Sequence, residues 1–153
     1  MTNLVEILEQ NPFFEPLTDN QRAALVAQAS LRQFKEGVHL LHENKPATEF
    51  YLLVAGDVAL TTQFPRRGVV TLQTFHAGAV LGWSWLFPPY EWHFDARTNT
   101  PVTAVVFDGA AVRASCEADH EFGYQLMRLF ANMMLQRLQA TRLQLLDVYG
   151  ATG

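Results

Sequence analysis

The spacing of apolar residues changes twice along the chain and divides it into three parts. Up to about residue 30 the pattern favours short helices, whereas from Leu31 to Asp108 short β-rich runs alternate with glycine, proline and asparagine. Such punctuation is typical of turns between strands. After Asp108 the apolar residues recur at helical intervals. The pattern therefore predicts N-terminal helices over 1–30, a β-roll over 31–108 and C-terminal helices over 109–150, within a single domain spanning 1–153.

Local signals place several elements within these parts. Thr18, with Gln21 three residues later, forms a capping-box pattern that begins a helix. A hairpin is predicted for Phe50–Val54 and Val58–Phe64 around the turn Ala55-Gly56-Asp57. Further strands are predicted for Val69–Phe75, His93–Thr98 and Val102–Phe107. Several short strands with regular turn signals indicate a sandwich or a barrel-like roll.

The C-terminal part predicts a short helix, capped by Asp108 and running through Cys116, and then a long helix from about Glu121 to Val148. Apolar and small residues at alternating steps of four and three form a heptad seam on the long helix: Met127, Ala131, Met134, Leu138, Thr141, Leu145 and Val148. A second stripe occupies a neighbouring face: Phe122, Leu126, Leu129, Phe130 and Met133. Two stripes predict one contact with the roll and one with a partner, so we expect a homodimer through this helix. The alternative is that both stripes are ordinary core.

Composition restricts the class of protein. The chain has 153 residues, of which 49% are apolar and 17% are charged, as in globular domains. The net charge of −4 argues against direct binding to DNA phosphates. The single cysteine, Cys116, cannot form an internal disulfide, which favours a reducing compartment. No apolar run approaches the ~20 residues that cross a membrane, and residues 1–10 do not form a signal peptide. A soluble, cytoplasmic protein is expected.

All three tryptophans lie between Trp83 and Trp92, in a loop that also contains Pro88-Pro89 and connects two predicted strands. So many rings are costly to leave in water, so this loop must be covered or must cover something else. Three interpretations are open. The rings fill their own pocket and bind nothing; they form an altered pocket for a flat, weakly charged ligand; or they dock a protein partner.

The order of elements resembles the cyclic nucleotide-binding fold of the Crp/Fnr, or catabolite activator, family. Phe34-Lys35-Glu36-Gly37, followed by Tyr51 through Val58, is similar to the early part of that roll. Arg137-Leu138-Gln139-Ala140-Thr141 and Leu146 through Gly150 are similar to the family's dimerisation helix and hinge. The resemblance implies an α+β fold, a double-stranded β-helix of the jelly-roll type with N-terminal helices and a long C-terminal dimerisation helix. The family's regulators continue into a helix-turn-helix domain, which these 153 residues do not contain, so no direct DNA binding is expected.

The family's ligand chemistry is altered in this chain. Its phosphate-binding cassette begins Gly-Glu, where the glutamate accepts hydrogen bonds from the ribose, and a later arginine neutralises the cyclic phosphate. Here Gly82 matches the glycine, but Trp83 stands at the glutamate position and Trp92 at the arginine position. A phosphate buried without its cation is strongly disfavoured. Binding of cyclic AMP or cyclic GMP is therefore not expected unless Arg97 or His93 reaches the pocket.

Strand alternation separates Trp92, Phe94 and Ala96 from His93, Asp95 and Arg97, so Arg97 points away if the apolar face lines the pocket. The resemblance also places Thr141 at a position that contacts the base in catabolite activators, with Arg142 beside it. The candidate ligand-binding residues are Gly82, Trp83, Ser84, Trp92, His93, Arg97, Thr141 and Arg142.

Other chemistries find little support in the sequence. His39, His42, Glu43 and Glu49 invite comparison with cupin-like metal sites, but those use His-x-His, and surface histidines are the simpler interpretation. Cys116 is predicted to be a buried structural thiol, and we identify no catalytic motif. We therefore expect a non-enzymatic regulatory or sensory domain with no cofactor and no metal. An accessory subunit of a larger redox or metabolic enzyme, and an ordinary cyclic nucleotide-binding protein, are the alternatives.

Overall fold

The computed structural model describes residues 3–151, and the side chains of 3–148. The ends of the predicted domain, at residues 1 and 153, lie outside this range. Two short helices come first, α1 (Leu4–Glu9) and α2 (Asp19–Val26). The predicted capping box is confirmed, because Gln21 N–H donates to Thr18 Oγ1 and Thr18 N–H donates to Gln21 Oε1.

Eight strands follow among the described residues: β1 (Ala29–Phe34), β2 (His39–Leu41), β3 (Glu49–Ala55), β4 (Val58–Phe64), β5 (Gly68–Phe75), β6 (Val80–Leu81), β7 (Asp95–Thr98) and β8 (Val102–Asp108). They form two antiparallel four-stranded sheets, with orders β1-β8-β3-β6 and β2-β7-β4-β5. With the flanking helices this is the predicted α+β roll. The first strand begins at Ala29, close to the expected start of the roll.

The predicted hairpin between residues 50–54 and 58–64 is wrong, although both strands exist. β3 pairs with β6 and β8, and β4 pairs with β5 and β7, so the turn at Gly56 passes from one sheet to the other. This turn is hydrogen-bonded to the connection between β7 and β8, which also passes from one sheet to the other, because Asp57 N–H donates to Thr100 Oγ1 at 2.9 Å. The true hairpin is β4–β5, whose tip carries Arg66 and Arg67.

The predicted strand 93–98 begins two residues late, at Asp95. Trp92 still belongs to the loop: its N–H donates to Lys45 O at 3.0 Å, and its carbonyl accepts from Asn44 N–H at 2.8 Å. The backbone before Asp95 is therefore bonded to the segment after β2 and does not enter the ladder of the sheet.

Two helices complete the fold, α3 (Gly109–Ala118) and α4 (His120–Ala151). Asp108 caps α3 as predicted, through a hydrogen bond from Ala111 N–H at 3.1 Å. The second apolar stripe of α4 packs on the roll, with Phe122, Leu126, Phe130 and Met133 buried. The heptad seam is mostly exposed, and Leu138 and Leu145 are 58% and 56% exposed. Among residues 3–151, no helix is both apolar enough and long enough to span a bilayer.

The core beneath α4 is a stack of aromatic rings. The Phe50 ring lies 4.4 Å from the rings of Trp85 and Phe107, centroid to centroid, and Phe130 meets both Phe50 and Trp85 edge-on. Trp85 is fully buried, so it belongs to this core. Trp85 thus anchors the centre of the tryptophan loop in the core. The indoles of Trp83 and Trp92 lie outside this stack and line a small cavity with Leu41, Leu60 and Phe94.

Candidate ligand site at the tryptophan loop

The tryptophan loop (residues 82–92) leaves β6 through Gly82, which has a φ of +101°, and then forms a 3₁₀ turn over Ser84–Leu86. A positive φ is easily adopted only by glycine. The turn brings the indole of Trp85 back over the chain, where Nε1–H donates to Gly82 O at 3.1 Å. The glycine therefore orients the loop so that the indole of Trp85 enters the core.

Arg113 of α3 fastens the middle of the loop. Its Nη1 donates to the carbonyl of Trp85, and its guanidinium carbon lies 4.0 Å from the centroid of the Tyr90 ring. A cation over an aromatic face within ~6 Å is attracted by the ring quadrupole. The loop is thus attached to α3 as well as to the core, and α3 leads directly into α4.

Trp92 covers the backbone of Gly82. Its side chain is only 6% exposed. A Cβ atom at residue 82 would lie 2.8 Å from Trp92 Cη2, so the indole rests on the glycine backbone itself. The space that a small group needs beside Gly82 is therefore filled by the protein's own ring.

The remaining cavity at this point is small, with a volume of about 30 Å³. A cavity of this size has room for only one or a few water molecules, since about 10–15 Å³ of such space is enough to hold one. Its walls are mainly apolar: Leu41, Leu60, Leu81, Trp83, Trp92 and Phe94.

Five of the predicted ligand-binding residues meet at this cavity: Gly82, Trp83, Ser84, Trp92 and His93. Thr141 lines an adjacent groove instead. The structure does not bring Arg97 or Arg142 to either space. Arg97 is on the exposed face of β7 and its Nη2 lies 3.2 Å from where a Cβ of Gly37 would be, whereas Arg142 is exposed on α4.

The adjacent groove lies between the roll and α4 and has a volume of about 620 Å³. Leu60, Trp83, Phe94 and Arg137 line both spaces and form the wall between them. Leu72, Met134 and Leu138 extend the apolar surface of the groove. Pockets of ~300–1,000 Å³ with mainly apolar walls are typical of small-molecule sites.

Arg137 is the site residue that the sequence analysis missed. Its guanidinium carbon is 4.6 Å from the centroid of Phe75 and 5.3 Å from that of Trp83, and its Nη2 donates to Val80 O. Burial lowers the pKa of Arg137 to about 10, so the side chain is still charged at neutral pH. The signal was present, because residue 137 follows Met133 by four and continues the buried stripe of α4.

The histidines and Cys116 were the other candidates in the sequence, for a metal site and for a nucleophile. Among the described residues, no group of three or more His, Cys, Asp or Glu side chains is arranged to hold a metal ion. The rings of His39 and His42 stack on each other at 4.8 Å. Cys116 is half-buried and not fully buried as predicted; desolvation, with smaller effects of Glu117 and Asp119, raises the pKa of its thiol to about 11. At neutral pH this thiol is protonated and is a poor nucleophile.

Comparison with known proteins agrees with this architecture. The family model of the cyclic nucleotide-binding domain matches residues 31–119. A protein from Geobacter metallireducens, classed as a cyclic nucleotide-binding protein, is 31% identical over 90% of this chain and 99% of its own, with a TM-score of 0.80. A comparison with curated protein sequences found no match.

Two further structures share the fold at lower identity. The N-terminal domain of a transcriptional regulator from Streptomyces coelicolor is 24% identical, covering 88% of this chain and 94% of that one, with a TM-score of 0.70. The sensor domain of the transcriptional regulator DNR from Pseudomonas aeruginosa is 19% identical, covering 88% and 90%, with a TM-score of 0.69. The fold predicted from the sequence is confirmed.

Proposed function

Because the chain belongs to the family of cyclic nucleotide-binding domains, we propose that it is a non-enzymatic regulatory domain whose nucleotide pocket has been rebuilt, so that cyclic AMP and cyclic GMP bind weakly or not at all. The observation that carries the proposal is the indole of Trp92 resting on Gly82. According to the family's pattern, the phosphate of the ligand belongs beside that glycine. The ring occupies this space and has no cation to offer.

Charge supports the same conclusion. The loop from Gly82 to Trp92 contains one ionisable carboxylate, Glu91, and no lysine or arginine. Arg97 lies on the other face of β7, and His93 is exposed at the mouth of the cavity. Among the described residues, the one guanidinium that lines the cavity, that of Arg137, comes from α4 and already donates to Val80 O. A phosphodiester beside Gly82 would therefore lose its hydration without a cation from the tryptophan loop, and leaving a buried charge poorly compensated costs several kcal/mol, as an order of magnitude.

The proposal includes a homodimer through α4 as the element that reports on the site. The exposed seam on this helix is apolar over much of its length, and long exposed apolar faces mark interaction surfaces. Arg137 of the cavity and Leu138 of the seam are neighbours on the helix. A ligand with different affinities for two packings of α4 would therefore shift the dimer between them. A cytoplasmic location is also part of the proposal, on the basis of the single cysteine.

Isothermal titration of the purified protein with cyclic AMP and with cyclic GMP tests the proposal. We expect no saturable heat at ligand concentrations up to about 1 mM, which corresponds to a binding free energy weaker than about −4 kcal/mol. Circular dichroism and a cooperative thermal transition establish that the titrated protein is folded. Micromolar binding of either nucleotide overturns the proposal.

A further inference from the structure

Arg137 is a partly buried cation without a counter-charge among residues 3–148. The salt bridges in this part of the chain involve Arg22, Arg32 and His76. Arg137 instead lies between two aromatic rings and donates one hydrogen bond to a backbone carbonyl. Buried or half-buried charges are usually paired, so the guanidinium of Arg137 is able to bind an anion.

The guanidinium has donors to spare. It carries five N–H groups, and its Nη2 is the atom that bonds to Val80 O. Neither Nε nor Nη1 bonds to another described residue, and neither is among the described polar atoms that are fully buried without a partner. These two atoms therefore remain available for further hydrogen bonds. A planar guanidinium binds a carboxylate through two parallel hydrogen bonds.

Of the spaces that Arg137 borders, the groove between the roll and α4 is the one whose walls favour an apolar body beside the negative charge. The groove of about 620 Å³ that it borders is walled by Leu60, Leu72 and Phe94 on the roll side and by Met134 on α4. The indole of Trp83 belongs to the same wall. A flat ring fits beside such aromatic faces, where stacking adds to burial. An extended polar ligand would lose hydration against this wall without compensation.

We propose that Arg137 is the anion-binding residue of the groove, and that its ligand is a monoanion with a flat, apolar body, an aromatic carboxylate in chemical class. The groove contains one arginine and no lysine among its lining residues, so a dianionic phosphate monoester would keep one uncompensated charge. This inference rests on the proposed function, since it assumes that the site beside Gly82 no longer receives a phosphate.

The source of the cation distinguishes this site from the ancestral pattern. The guanidinium comes from the long helix and not from the tryptophan loop. A ligand bound to Arg137 therefore contacts α4 directly, one residue from Leu138 of the exposed seam. Leu138 lines the same groove as Arg137, so a ligand there touches both the cation and the seam, and we expect it to alter how α4 packs.

The test is calorimetric titration of the whole protein with 1-naphthoate and with 1-naphthamide, a neutral probe of nearly the same shape. We expect naphthoate to bind at least about tenfold more tightly than the amide, because a hydrogen bond between two charged groups is stronger than one between a charged and a neutral group. Arg137→Gln should remove this preference, and Arg137→Lys should keep part of it. Arg128→Gln is the matched control, because Arg128 is exposed on the same helix and borders neither space.

The comparison of the two probes on the unaltered protein does not depend on whether a variant folds. Equal affinities for the two probes, or no naphthoate binding at about 1 mM, overturn the inference. A folded Arg137→Gln variant that retains the preference overturns it as well. Failure here, with cyclic nucleotides still unbound, removes the ligand class alone. Micromolar cyclic AMP binding removes the proposed function instead.

Discussion

The indole of Trp92 packs directly against the backbone of Gly82, with no room between them for a side chain. A Cβ on residue 82 would be 2.8 Å from Cη2 and 3.1 Å from Cζ3 of the indole. Real Cβ atoms do not approach ring carbons so closely, so the ring fits only because this residue is glycine. Under the proposed function, this contact places an apolar surface where the family's pattern would put the cyclic phosphate. One pair of residues thus determines both the shape and the polarity of the site.

This contact predicts the effect of Gly82→Ala. The variant combines an unfavourable positive φ with a clash against Trp92, so we expect it to be destabilised by about 2–4 kcal/mol in urea unfolding. Gly78→Ala is the matched control, because Gly78 has a φ of +96° but open space where its Cβ would be. It should show the backbone strain alone, about 1–2 kcal/mol. Equal losses for the two variants would contradict the contact.

Restoring the family's charges should restore the family's ligand. In the double variant Trp83→Glu, Trp92→Arg the ring leaves Gly82, a carboxylate becomes available to the ribose and a guanidinium to the phosphate. We expect cyclic AMP affinity, measured by titration calorimetry, to rise at least about tenfold. The swapped variant Trp83→Arg, Trp92→Glu has the same composition and should show no gain. If both gained equally, ring removal and not charge placement would be responsible.

The exposed seam predicts the state of association. Leu138→Glu and Leu145→Glu place a charge on side chains that are 58% and 56% exposed in the single chain. They should leave the fold of the monomer intact but convert a dimer to monomers in sedimentation velocity, because a buried unpaired carboxylate opposes association. Gln139→Glu adds the same charge elsewhere on α4 and should leave the dimer unchanged. A wild-type protein that is monomeric at micromolar concentration would contradict the seam.

Cys116 predicts a pH dependence. Its pKa of about 11 means that the thiolate, the reactive form, is scarce at pH 8. Alkylation by iodoacetamide should be slow in the folded protein at pH 8 and rise towards pH 10, whereas urea-unfolded protein should react as an ordinary thiol of pKa ~8.5. Because folding raises this pKa, the corresponding part of the stability is complete below ~8.5 and is lost as pH rises towards 11. Equal rates for folded and unfolded protein at pH 8 would contradict the raised pKa of the thiol.

Elements that depend on residues close together in the sequence could be predicted from it. The capping box at Thr18, the Asp108 cap and the stripes of α4 each depend on residues three or four apart, and each element forms where it was predicted. The predicted hairpin over 50–64 was based on the rule that two strands joined by a short turn normally pair, and β3 and β4 do not follow it. Here the turn at Gly56 is packed against Pro101, a contact between residues far apart in sequence.

The candidate site divides in the same way. The loop residues from Gly82 to His93 are neighbours in sequence, and the structure brings most of the predicted ones together. Helical periodicity places Arg137 on the buried stripe, four residues after Met133, but it does not show a role in the site, because a charged residue on a long helix is normally solvated. Its burial depends on Phe75 and Trp83, which reach it from two different parts of the roll.

The three indole N–H groups allow the central claim to be tested at the residues concerned. Tryptophan indole resonances of ¹⁵N-labelled protein are followed by NMR during addition of cyclic AMP to about 1 mM, the weak limit of ordinary ligand binding. We predict that the signals of Trp83 and Trp92, assigned through Trp83→Phe and Trp92→Phe, do not shift. Saturable movement of either signal at micromolar cyclic AMP would mean that the nucleotide enters beside Gly82, contrary to this account.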